Sequence, residues 1–323
     1  MLTPKSIPEK IYGLKKIGMP ICAIALIALA CTNSANKNSP NNGTGNKSSS
    51  TSIPEVAREA RPVETLIFVS VPSVKKKELE KSQKLWIEYL QEKLQRKVDF
   101  KIAKDYDAAI DMLVTGEAQM GILGPFSYIK AKQRNPKIEP LAAAIHEVTQ
   151  RPWYTSTILT RPETNIKTLA DLKGKKFSFV SRSSTSGFLV PSYAFKQEQI
   201  VPETDFSEVL YSGNHDQSII DLIDRKIDAV SVESTAIYRA KQEGILTDDN
   251  YIKIWESDPI TESPFVVNEK FPSELVDTLK SAIIKAEGFA NDSGMRSMGF
   301  TIVTDRDYEL IRQVHKEVIS PSQ

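Results

Sequence analysis

From Val63 onward the chain alternates short β-branched or apolar runs with stretches whose apolar residues recur at helical spacing. Residues 66–71 predict a buried strand, Leu79, Trp86, Leu90 and Leu94 follow at helical intervals, and residues 98–102 predict a second strand. That succession is the grammar of a βαβ unit. A helix over 107–114 is expected to stop at Gly116, and a strand over 119–123 comes next. Gly124-Pro125 then opens another helix, with proline in the first turn, where its missing N–H costs nothing. The pattern restarts downstream, with strands near 177–181, 208–211 and 227–232 alternating with helices near 187–199, 216–225 and 235–244. This alternation predicts a second, parallel sheet covered by helices. A chain of 323 residues is long enough for two such bodies.

The first sixty residues depart from this pattern. Lys5, Lys10, Lys15 and Lys16 precede ten apolar residues, 21–30, half of the roughly 20 needed to span a bilayer. The arrangement predicts a signal peptide over residues 1–30. Cys31 follows directly, and Ala28-Leu29-Ala30-Cys31 resembles the bacterial lipobox, with Ala28 where leucine is the commoner residue. Lipidation of Cys31 would then mark the mature N-terminus. Residues 32–62 are dominated by Asn, Ser, Thr, Gly, Lys and Pro, too little apolar surface to offset chain entropy, so they read as a flexible tether. The expectation is a lipid-anchored protein, periplasmic or on the outer face of the cytoplasmic membrane.

Composition narrows the function. With 40% hydrophobic and 26% charged residues the chain is ordinary for a globular protein. Its net charge is +1, and the lysine-rich leader accounts for all of the basic excess, leaving the remainder near neutral with 38 basic and 40 acidic residues. A nucleic-acid partner is therefore not expected, because binding one requires cations that release counterions from phosphates. No cysteine follows Cys31, which removes cysteine-based zinc, disulfide and thiol-nucleophile chemistry from the folded part. No cofactor and no metal are expected.

The chemistry concentrates at strand-to-helix junctions, since open α/β sheets bind ligands outside the carboxyl ends of their strands. Ser183-Ser184-Thr185-Ser186-Gly187 stands between a predicted strand and a helix, where unpaired backbone N–H groups and hydroxyls favour an anion. One hydroxyl before a helix is ordinarily an N-cap; a run of hydroxyls and a glycine exceeds what capping needs. Ser212-Gly213-Asn214-His215-Asp216 repeats the arrangement. His215, one of three histidines in the chain, is either a satisfied surface residue or an oxyanion donor.

At this point the chain resembles the phosphonate-type (phosphate/phosphite/phosphonate) ABC transporter substrate-binding proteins. The resemblance is carried by Ser184 through Pro191, Thr168-Leu169-Ala170-Asp171-Leu172-Lys173-Gly174, Asp105-Tyr106 and Leu123-Gly124-Pro125-Phe126-Ser127-Tyr128. It continues in Gly213, His215, Ile227-Asp228-Ala229-Val230, Gly299-Phe300, Asp307-Tyr308 and Arg312, all in the family's order between residues 63 and 314. It implies an α/β protein of the type II periplasmic-binding-protein fold, with two α/β lobes joined by two crossover strands and the ligand cleft between them. The crossovers should fall near 154–160 and 257–267. Residues 63–158 would form the first part of lobe 1, 159–261 lobe 2, and 262–323 the return to lobe 1 with a C-terminal helix. It further implies that Ser184, Thr185, Ser186 and His215 hold the oxygens of a small oxyanion. Tyr106 and Tyr154 would complete the site, although tyrosines of this kind also serve as wall or core residues.

Family members that bind aminoethylphosphonate set acidic residues against the ammonium. The matching positions here are Thr235 and Ser263, while Glu233 and Glu262 lie two and one residues away; a one-residue shift in a strand turns a side chain to the opposite face. The implied ligand therefore lacks a cation: phosphate, phosphite or an alkylphosphonate. Arg182 beside the hydroxyl run either adds charge to the site or is solvated. The implied partners are an ABC permease and ATPase complex, served by a monomer. A ligand-binding subunit reporting to a membrane sensor kinase, or capture of a different small anion, is the alternative. An enzyme is not expected, because Ser184-Thr185-Ser186-Gly187 lacks the G-x-S-x-G form of a serine-hydrolase elbow.

Overall fold

The computed structural model describes residues 65–147, 149–289 and 296–319. The signal segment, Cys31 and the tether lie outside the described residues, as does the side chain of Leu79. In chain order, β1 (Thr65–Ser70), α1 (Lys76–Leu94), β2 (Lys97–Ile102), α2 (Tyr106–Thr115), β3 (Met120–Ile122), α3 (Pro125–Arg134) and β4 (Glu139–His146) come first. After β5 (Trp153–Tyr154) and β6 (Ser156–Thr160) follow β7 (Lys176–Phe179), α4 (Val190–Gln197), α5 (Pro202–Asp205), β8 (Glu208–Tyr211) and α6 (His215–Ile223). The next elements are β9 (Ala229–Glu233), α7 (Ser234–Gln242) and β10 (Ile252–Glu256). The chain then passes through β11 (Ile260–Thr261) and β12 (Pro264–Val267) to α8 (Val276–Lys285), β13 (Ser297–Ile302) and α9 (Glu309–Ile319).

Local chemistry sets these boundaries: Gly116 and Pro125 act as the pattern predicted, while α2 starts at Tyr106, one residue earlier than the expected 107. Asp105 caps α2 by accepting the Ala108 N–H at 2.7 Å, and Gly116 ends the helix at φ 74°, a left-handed conformation that favours glycine. Pro125 takes the first turn of α3.

The strands form two sheets, one per lobe. The first has the order β13-β4-β12-β3-β1-β2 and the second β10-β6-β9-β7-β8. In the second, β7 is parallel to β8 and β9, whereas β6 is antiparallel to β9 and β10. The second sheet is thus mixed rather than parallel. The reason lies in the crossover: β6 enters with Ser156 beside Glu233, the last residue of β9, so it runs away from the end where β7, β8 and β9 finish. In the first sheet β12 enters the same way, antiparallel to β3 and β4. Between the sheets, β5 and β11 pair as a short antiparallel ribbon, Tyr154 opposite Ile260.

Each lobe buries its own core. Trp86 is fully buried and lies parallel to Phe300, centroids 5.4 Å apart, with Phe265 edge-on at 6.0 Å. In the second lobe Phe177, Phe179, Phe195 and Phe206 pack largely edge-to-face, the arrangement the ring quadrupole prefers. A further apolar cluster joins Val69, Tyr106, Ile110 and Phe126 of the first lobe to Val180, Leu189 and Val190 of the second, with Tyr154 and Ile260 of the ribbon.

Candidate ligand-binding cleft

The hydroxyl run sits on a turn built for close approach. Thr185–Leu189 form a single π-type turn ahead of α4, in which the Leu189 N–H reaches the Ser184 carbonyl at 3.1 Å; such turns concentrate at functional sites. Gly187 lets this turn lie against the end of β7, since a Cβ there would meet Val180 Cβ at 2.5 Å. The Gly187 carbonyl accepts from the Val180 N–H at 2.9 Å and from Ser231 Oγ at 3.0 Å, and the Ser186 carbonyl accepts from Ser156 Oγ at 2.6 Å. The backbone of the run is therefore anchored from two neighbouring strands.

The three hydroxyl residues are all 2% exposed but differ in role. Ser184 Oγ accepts the Gly187 N–H at 3.1 Å, so this serine is the cap of its turn. Thr185 Oγ1 accepts the Phe126 N–H, in the first turn of α3, at 2.9 Å, which leaves the hydroxyl proton to be donated elsewhere. Ser183 is a junction: its carbonyl accepts from Ser127 Oγ at 2.7 Å, and its hydroxyl donates to Asp107 Oδ1 at 2.6 Å while receiving the Lys130 ammonium. Lys130 also bonds Asp107 at 2.8 Å. Burial alone would raise the Asp107 carboxyl, but the hydrogen bonds from Lys130 and Ser183 and the charges of Lys130 and Arg134 outweigh it and hold the group below the usual carboxylate range.

On the opposite flank, α6 begins at His215. Its N–H donates to the Ser73 carbonyl in the β1–α1 loop at 2.9 Å, and Asp216 Oδ2 accepts the Lys75 N–H at 2.9 Å. The two lobes thus touch on both sides of the cleft. His215 is 2% exposed, and its Nδ1 accepts the Glu233 N–H at 3.2 Å. A backbone amide can only donate, so in the neutral ring the proton sits on Nε2, which is left as a donor. Burial pushes this imidazole below its usual range; Arg239 reinforces the shift, and Glu233 and Asp216 oppose it without reversing it. His215 is therefore a neutral hydrogen-bond donor near neutral pH.

A pH prediction follows from that shift. The unfolded imidazole titrates near about 6.5 and the folded one lower, so the unfolded state binds more protons between the two values. The stability contribution of neutral His215 is complete above the unfolded value and is lost as pH falls toward the folded one. Melting temperatures across this range should fall less steeply for His215→Gln than for the parent; equal slopes would show that His215 does not titrate as described.

Tyr106 and Tyr154 are 3% and 5% exposed and belong to the apolar cluster that joins the lobes, which also takes in Leu189 of the hydroxyl turn. Arg182 is exposed and stacks on Tyr211 and Phe188, 4.8 and 5.8 Å from the ring centroids, which turns its charge to the rim. Glu262 is held in the ribbon: its Oε1 accepts the Ser263 N–H at 2.9 Å and its Oε2 meets His146 Nε2, with both residues 2% exposed. Glu233 lies at the cleft instead, its Oε2 3.6 Å from His215 Nε2. The contributions of Asp107, Lys130, Ser127 and Ser73 have no local signal in the sequence, because each depends on packing against the other lobe. Among the described residues no group of His, Cys, Asp and Glu is arranged to hold a metal ion, and no helix is long and apolar enough to cross a membrane.

Known proteins share both the sequence and the architecture. The family model for the periplasmic substrate-binding protein of the phosphonate ABC transporter matches residues 68–308. The "Phosphate-import protein PhnD" of Mycolicibacterium smegmatis is 31% identical over 326 residues, covering 94% of this chain and 96% of that one. Among solved structures, PhnD1 from Prochlorococcus marinus in complex with methylphosphonate aligns with a TM-score of 0.71 at 18% identity, over 79% of this chain and 98% of its own. A binding protein component of an ABC phosphonate transporter from Pseudomonas aeruginosa aligns with a TM-score of 0.72 at 19% identity, over 79% and 86%. At those identities the structural likenesses carry the fold, two sheet-containing lobes around a cleft. The family match over most of the folded chain carries the function: this chain belongs to the phosphonate-type periplasmic substrate-binding proteins of ABC transporters.

Proposed function

We propose that the protein captures a small phosphorus oxyanion, namely phosphate, phosphite or an alkylphosphonate, in the cleft between its lobes and delivers it to an ABC permease and ATPase complex. The observation that carries this reading is a pair of buried neutral donors, each at a contact between the lobes. The Thr185 hydroxyl keeps its proton while accepting from Phe126, and His215 keeps its proton on Nε2 while accepting from Glu233. Both begin helical turns, whose positive dipole end favours an anion. Ser184 and Ser186 flank Thr185, and Tyr106 and Tyr154 complete the site. The Mycolicibacterium relative named for phosphate import and the Prochlorococcus protein bound to methylphosphonate agree with this class of ligand.

Calorimetry and thermal-shift measurements with phosphate, phosphite, methylphosphonate and aminoethylphosphonate test the proposal. A bound ligand raises the melting temperature by mass action, and the three cation-free oxyanions should do so. No stabilisation by any phosphorus oxyanion would reject the reading. We further propose that lipidation of Cys31 anchors the protein outside the cytoplasmic membrane, with residues 32–62 as the tether. Cys31→Ala should then move the protein from the membrane to the soluble fraction, and unchanged membrane association would refute the anchor.

A further inference from the structure

We infer that Glu233 makes the cleft selective for oxyanions that still carry a proton, by accepting the P–OH of a partly ionised phosphorus oxyanion and disfavouring sulfur oxyanions of the same shape. The inference rests on the phosphorus-oxyanion reading of the cleft. Glu233 ends β9 and occupies the N-cap position of α7, yet its side chain makes no capping bond. It is 6% exposed and turns toward His215, with Oε2 3.6 Å from Nε2. Its other oxygen, Oε1, is buried without a hydrogen-bond partner, and so is the hydroxyl of Thr235, two residues on and 8% exposed. A buried carboxylate oxygen without a donor bears its full desolvation cost, and a donor brought by the ligand removes it.

The chemistry of that donor follows from the neighbourhood. A carboxylate accepts hydrogen bonds and has no proton to give. Placed beside a bound oxyanion it repels it, and the repulsion grows as the closing lobes exclude water. A hydroxyl on the ligand converts the repulsion into a charge-assisted hydrogen bond. Two charged or titratable neighbours flank Glu233. His215 on α6 is the neutral donor described above, and Arg239 on α7 is paired with Asp216 of α6. Because Glu233 neighbours His215 Nε2, the atom that offers its proton to the oxyanion, its carboxylate lies at the head group rather than at a distant substituent. Phosphate, phosphite and phosphonates keep a hydroxyl in at least one ionisation state near neutral pH; sulfate and sulfonates do not.

Methylphosphonate and methanesulfonate separate this effect from shape. At about pH 5, below the second ionisation of a phosphoryl group, both carry about one negative charge and only the phosphonate has a hydroxyl. In titration calorimetry of the full chain the parent should prefer methylphosphonate by about a hundredfold, the scale of one lost charge-assisted bond plus an added repulsion. Glu233→Gln, whose amide can donate as well as accept, should narrow that gap by about tenfold or more. The parent comparison needs no variant and stands even if Glu233→Gln fails to fold. Equal binding of the two ligands by the parent, or an unchanged gap in Glu233→Gln, overturns the inference while leaving the cleft a phosphorus-oxyanion site. A preference for aminoethylphosphonate that disappears in Glu233→Gln would place the carboxylate on a cation and also overturn it. If the parent binds none of phosphate, phosphite and methylphosphonate, the underlying reading fails as well.

Discussion

Thr185→Ala is expected to weaken oxyanion binding by about ten- to a hundredfold while leaving the fold nearly as stable. The lost donor is a buried, charge-assisted hydrogen bond worth about 1.5–3 kcal/mol, and each 1.4 kcal/mol is a factor of ten. The substitution also removes the acceptor of the Phe126 N–H, a bond that exists only when the lobes meet, so the loss falls on the closed form. In an open molecule the Phe126 N–H, in the first turn of a helix, is hydrated at little cost. Thr185→Ser keeps the hydroxyl and should recover most of the affinity. Calorimetry and melting curves on the same variants decide the matter. Unchanged affinity with a lowered melting temperature would make Thr185 a structural residue and remove it from the site.

Glu262→Ala is expected to behave in the opposite way, with a large loss of stability and unchanged affinity. Glu262 and His146 are each 2% exposed and bond one another where β4 and β11 approach, while the Tyr308 hydroxyl donates to the Glu262 carbonyl at 3.0 Å. Removing one partner of a buried charged pair costs about 3 kcal/mol. For a protein of this size that corresponds to a fall of roughly 6–12 °C in melting temperature. Collapse of affinity without loss of stability would show that this carboxylate reaches the ligand. Glu233 and Glu262 stand almost equally near the positions where aminoethylphosphonate binders carry acids, and this pair of measurements separates their roles.

The strand and helix succession was legible because local signals were strong at each junction. Gly116 ends α2, Pro125 starts α3, and the β8 boundaries are those the apolar pattern predicted. The direction of β6 was not legible, since a crossover strand has the same composition as its parallel neighbours and only the route of the chain reverses it. Thr185 and His215 stand at helix starts, and that place is what marks them as candidates. Asp107 and Lys130 look like ordinary solvated helix charges until the other lobe supplies Ser183. The tautomer of His215 depends on a backbone amide 18 residues away, and no spacing rule reaches that far. Nor does the sequence decide between Glu233 and Glu262, because the difference arises from which of two histidines each carboxylate meets.

The contacts that join the lobes have a kinetic meaning. The bonds between Phe126 and Thr185, Ser127 and Ser183, and Asp107 and Ser183 lie on one flank of the cleft, and those between Ser73 and His215, and Lys75 and Asp216, lie on the other. All are made by the protein with itself, and parting of the lobes to release an anion would break them. The lifetime of the complex is therefore set partly by groups that never meet the cargo, whereas encounter with the open cleft is not slowed by them. Changes at Asp107 or Ser127 should act on the dissociation rate. A transporter that pulls the lobes apart by engaging one flank would release the cargo without competing for any donor that holds it.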